Sequence, residues 1–120
     1  MLLKKTTGED FVTFQKEFKK WQKFFGLNGY TIYFKYKPLD DQFADIEIEQ
    51  NIMAAIVRLN SRLSENSEPF KDIKRSAKHE AIHLLIGRLN YLATCRYVES
   101  KDIYEASEEL VHRLDGLIPD

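Results

Sequence analysis

The sequence predicts an α+β domain in which one helix is followed by a three-stranded, mostly antiparallel sheet and then by two more helices. Three observations lead there. Phe11, Phe14, Phe18, Trp21 and Phe25 recur at spacings of three and four. Three short runs between residues 30 and 59 alternate in polarity or are rich in β-branched and aromatic residues. Beyond residue 73, apolar residues return to helical spacing.

The aromatic stripe is the core-facing side of an amphipathic helix whose other faces carry Lys16, Glu17, Lys19, Lys20 and Lys23. Gly26 and Asn28-Gly29 end it. Residues 30–36 form a strand that stops before Pro38, and Leu39-Asp40-Asp41 is a turn. In 43–49, Ile46 and Ile48 alternate with Asp45, Glu47 and Glu49, the period of a half-exposed strand. Residues 53–59 give a third, more apolar strand, and 60–67, with serines and asparagines, a loop. Pro69 suits the first turn of the next helix, capped by Ser67 or Glu68 and continuing to Asn90 or Leu92. Gly87 lies inside that helix and weakens it locally, where another backbone is expected to pack closely. Ser100 caps a last helix with Ile103, Ala106, Leu110, Leu114 and Leu117 as its buried stripe, stopped by Gly116 and Pro119.

With 120 residues the chain is expected to be one domain, 1–120. A hydrophobic fraction of 43% and an aromatic fraction of 12% fit an ordinary globular protein. The net charge of −1 provides no broad basic field, which argues against nucleic acid as the main partner. Basic clusters at Lys4-Lys5, at Lys19-Lys20 and from Lys71 to Lys78 are interleaved with acidic or apolar residues and read as solvated helix faces. Cys95 is a lone cysteine, so no intramolecular disulfide forms, and beside Leu92 and Ala93 it reads as a small core residue. Leu2-Leu3 is followed at once by Lys4-Lys5, too short an apolar run for a signal peptide or membrane span. A cytoplasmic protein with no membrane partner is the expectation.

The segment that carries chemistry is His79-Glu80-Ala81-Ile82-His83, an HExxH pattern. Two imidazoles four residues apart on a helix lie on one face and can reach one zinc ion at about 2.0–2.1 Å. Glu80 would stand beside the ion, where a carboxylate can take a proton from an attacking water and return it to a leaving amine. Ile73, Ala77, Ala81, Leu84 and Leu85 give an apolar face, and Ile82 and Ile86 add apolar surface elsewhere, so a helix buried nearly all round is expected. Histidines buried there would need a partner, which a metal supplies.

A catalytic zinc takes three protein ligands and keeps an open position. The metzincin extension is excluded, because Ile86 and Leu89 stand where it requires Gly and His. The third ligand should come from the last helix, expected to lie antiparallel to the HExxH helix across a short connection. Glu105, Glu108, Glu109 and His112 are the candidates. Glu108 is preferred, because it shares a side with Tyr104 and Val111 at the border of the buried stripe, with His112 one turn on to support it.

These residues resemble the small single-domain zinc metallopeptidases of phages and prophages, a minimal gluzincin-like core. The resemblance covers most of the chain and rests on His79-Glu80-x-x-His83 and on Glu105-Ala106-Ser107-Glu108-Glu109-Leu110-Val111. The Asn-Glu-x-x-Ser-Asp signature of larger gluzincins is missing. The resemblance implies a zincin-like fold, His79 and His83 as zinc ligands, Glu80 as general base and acid, and a last-helix glutamate as third ligand. It also implies that an edge strand, 43–49 or 53–59, pairs with an extended peptide or protein substrate. An oxyanion stabiliser is expected among Tyr91, Tyr97 and Tyr104, with no ground for choosing one. The competing expectation is a non-catalytic zinc-binding phage regulatory or assembly protein that keeps the fold.

Overall fold

The computed structural model describes residues 6–62 and 72–119. Helix α1, Gly8–Phe24, begins at a reciprocal cap: the Thr7 hydroxyl accepts from the Asp10 amide, and the Asp10 carboxylate accepts from the Thr7 amide. Its stripe is core as expected, with Phe14 and Phe18 fully buried and Phe11 and Trp21 packed at the margin. Phe18 meets Phe34 edge-on at 5.6 Å, and Phe11 stacks on Tyr36 at 5.1 Å, which seats α1 on the first strand. The chain turns away at Gly26, whose φ of 72° favours glycine.

Strands β1, Thr31–Lys37, β2, Ala44–Glu49, and β3, Ala54–Asn60, form one sheet in the order β1-β3-β2. β1 runs parallel to β3, whereas β2 is antiparallel to it. The sheet is therefore mixed, not mostly antiparallel. Composition explains the order: Ala55, Val57 and Leu59 of β3 are buried, so β3 takes the centre. The acidic alternation of β2 and the lysines of β1 suit the two edges. A single 3₁₀ turn, Gln50–Ile52, and Met53 in the left-handed region reverse the chain between β2 and β3.

Asn60, buried at the end of β3, organises the loop from β1 to β2. Its Nδ2 donates to the carbonyls of Leu39 and Gln42, while Oδ1 accepts from the amides of Leu39 and Arg62. A side chain with two donors and two acceptors is satisfied by four main-chain partners, so the entry to β2 is fixed.

Helix α2, Ile73–Leu85, starts at Asp72, whose carboxylate accepts from the amides of Lys74 and Arg75. The expected Ser67, Glu68 and Pro69 start falls outside the described residues. Small Ala77 and Ala81 let α2 lie close against α1, and both are fully buried. The expected single long helix is interrupted at Ile86, after which α3 spans Gly87–Thr94. The break falls at Gly87, a weak helix former, where an added Cβ would stand 3.2 Å from Ile48 Cδ1.

The last helix, α4, covers Ser100–Leu117. Glu99, not Ser100, is its cap, sharing a reciprocal pair of bonds with Asp102. Of the expected stripe only Ala106 is buried, and the helix runs through Gly116. α4 packs on α3, and Arg113 ties it to the end of α1 by donating to the carbonyls of Phe25 and Gly26. Among the described residues, no helix is long and apolar enough to cross a membrane.

Candidate metal centre

His79 and His83 project from one face of α2, one turn apart. Their rings are exposed, with centroids 4.9 Å apart and planes at 77°. This corrects the expectation of a helix buried all round: Ile82 and Ile86 are also exposed, and only the side holding Ala77, Glu80, Ala81, Leu84 and Leu85 is buried. Water can solvate both rings, so burial does not by itself demand a cation.

Convergence is the more telling feature. The two Nε2 atoms stand 3.2 Å apart. Two nitrogens held about 2.0–2.1 Å from one tetrahedral ion are separated by roughly 3.3 Å. The same spacing accommodates a hydrogen bond between one protonated and one bare nitrogen, so the pair is set for either a shared proton or a shared ion.

Glu80 is on the buried side of the same turn, 6% exposed. With His79, His83, Gln42, Asp45 and Ile46 it lines a cavity of about 290 Å³ under the start of β2. Thus α2 supplies the HExxH residues and the fixed entry to β2 supplies the opposite wall. Comparison with known protein families, with curated proteins and with solved structures finds no match. The chemistry of the site must be read from its own residues.

The structure does not bring Glu108 to the histidines. Among the described residues, no three His, Cys, Asp or Glu side chains are grouped to hold a metal ion. The reason is the break at Ile86, which makes α3 the element on which α4 packs. Glu108 lies 3.7 Å from His112 on its own helix, Glu109 pairs with Arg88 and Arg113, and Glu105 is exposed. Asp45 also borders the cavity, but its carboxylate accepts from Arg58 at 3.0 Å on the sheet face turned away from Ile46 and Ile48. Its place in the β2 alternation was legible. Its position beside α2 depends on strand order and was not.

Of the three tyrosines, Tyr91 is the one that shares a groove with His83, and its hydroxyl donates to Asn51 Oδ1 at 3.2 Å. Tyr97 and Tyr104 are strongly exposed. Cys95 is half-buried at the end of α3 and stands outside the main core.

Zinc fits this donor set in part. The two convergent Nε2 atoms suit two positions of a tetrahedral ion, and among the described residues no third ligand side chain is grouped with them.

Proposed function

We propose that the chain is a zinc-dependent metallopeptidase of minimal HExxH type that hydrolyses extended peptides or unstructured protein segments, as its resemblance to the small phage and prophage enzymes implies. The observation that carries the reading is the 3.2 Å approach of the His79 and His83 Nε2 atoms beside buried Glu80, under a strand at the edge of the sheet. The free Cys95 suits a cytoplasmic setting.

His79 and His83 would hold the ion. When bound, zinc polarises a carbonyl and lowers the pKa of water to about 7. The outer edge of β2 would bind the peptide through main-chain hydrogen bonds, which demand little of its sequence. Glu80 would take one proton from the attacking water as its oxygen joins the carbonyl carbon. It would then deliver that proton to the nitrogen as the C–N bond breaks. Tyr91, at the margin of the adjoining groove, is the hydroxyl best placed to steady the carbonyl oxygen.

A non-catalytic zinc-binding role is the second reading. In its favour, Glu109 is engaged by two arginines and only two of the expected ligands converge. Structural zinc sites, however, close with four protein ligands. Chelator-sensitive cleavage of an unfolded protein that disappears in Glu80→Gln supports the peptidase. A zinc-loaded chain that cleaves no substrate supports the second reading.

A further inference from the structure

We propose that the groove beside His83 is a side-chain pocket that selects a bulky uncharged residue of an extended peptide, flanked by basic residues. The proposal deepens the peptidase reading and rests on it. The groove has a volume of about 390 Å³ and shares His83 and Ile46 with the cavity that holds Glu80. Ile46, Ile48 and Ile86 give it apolar walls, and Gln50, Asn90 and Thr94 supply neutral polar groups. Gly87 keeps it open, because a side chain there would press on Ile48.

Strand geometry connects groove and peptide. β2 is an edge strand, and its side chains alternate between Ile46 and Ile48 on the core side and Asp45, Glu47 and Glu49 on the other. A peptide added along that edge places every second side chain on the Ile46–Ile48 face, over the groove. Its intervening side chains fall on the acidic face. There Arg58 is shared by Asp45 and Glu47, with Lys35 of β1 beyond it, so along β2 itself the three carboxylates outnumber the one guanidinium that pairs with them. Lys or Arg at these flanking positions would complete the charge balance.

Charge also sets the selection in the groove. Among the described residues no Asp, Glu, Lys or Arg lines it. A charged side chain entering it would lose water and meet no opposite charge, while a Leu, Met or Phe side chain would bury apolar surface.

The test uses the full chain carrying Glu80→Gln and fluorescein-labelled pentapeptides Ala-Lys-X-Lys-Ala, with binding read by anisotropy in the presence and absence of zinc. Peptides with X as Leu or Phe should bind at least about tenfold more tightly than those with X as Asp or Lys. Replacing both flanking Lys by Glu should abolish binding. In the added Asn90→Asp variant, X as Lys should become a preferred peptide, since the groove then holds a carboxylate. Equal affinity for all X on zinc-loaded protein, no binding of any peptide, or an unchanged order in Asn90→Asp overturns the inference. Zinc content measured on the same protein keeps the two readings apart. Absence of zinc overturns the peptidase, while an X order that survives without zinc supports the groove.

Discussion

Arg88 Nη1 lies 2.6 Å from Glu109 Oε2, an ion pair that fastens α4 to α3 and keeps this acid of the last helix out of reach of the histidines. Arg113 meets the other oxygen of the same carboxylate at 3.4 Å. Both partners of the closer pair are partly exposed, so water screens it. Glu109→Gln should lower stability by no more than about 1 kcal/mol in urea unfolding and should leave zinc affinity unchanged. Loss of zinc binding in that variant would make Glu109 a ligand.

The aromatic stripe of α1 was legible because five large apolar residues at helical spacing have one economical solution, a buried face. The strands were legible for a similar reason, but their neighbours were not. Alternation in β2 tells which side chains share a face and is silent on whether β1 or β3 lies alongside. The HExxH pair was found because its geometry is local to one helical turn. Where the last-helix glutamates would stand was not, because α4 packs on α3 beyond the break at Ile86, an arrangement that no local pattern encodes.

Among the described residues, neither Asp45 nor Glu108 is grouped with the histidines. Asp45 is held by Arg58 on the far face of the sheet, so Asp45→Asn should change zinc binding less than about twofold. Glu108→Ala should change it less than about twofold, because α4 is packed on α3. Competition titration with a chromogenic chelator reads both. A larger loss in Glu108→Ala would show that α4 closes over α2 when the ion binds.

Asn60 should be among the costliest single positions. Asn60→Ala removes four hydrogen bonds from a buried side chain and leaves main-chain groups of the β1–β2 loop without partners. A loss of about 2–4 kcal/mol is expected in chemical unfolding. Because that loop carries Gln42 in the wall of the cavity beside the histidines, zinc affinity should fall in the same variant under conditions where it stays folded.

Glu80 is buried yet is assigned a proton-transfer role. Glu80→Gln keeps the shape and should keep both the fold and the zinc, while peptide hydrolysis falls at least about a hundredfold. Circular dichroism, metal content and a quenched-peptide assay on one preparation check the three statements together. Zinc lost along with activity would make Glu80 a ligand.

The central claim is that His79 and His83 hold one divalent ion between their Nε2 atoms. Elemental analysis of chain purified from zinc-replete cells, alongside His79→Ala and His83→Ala, tests it most directly. The account expects about one zinc per chain in the parent and near none in either variant, with all three equally folded. A parent without zinc, or variants that keep it, would contradict the account.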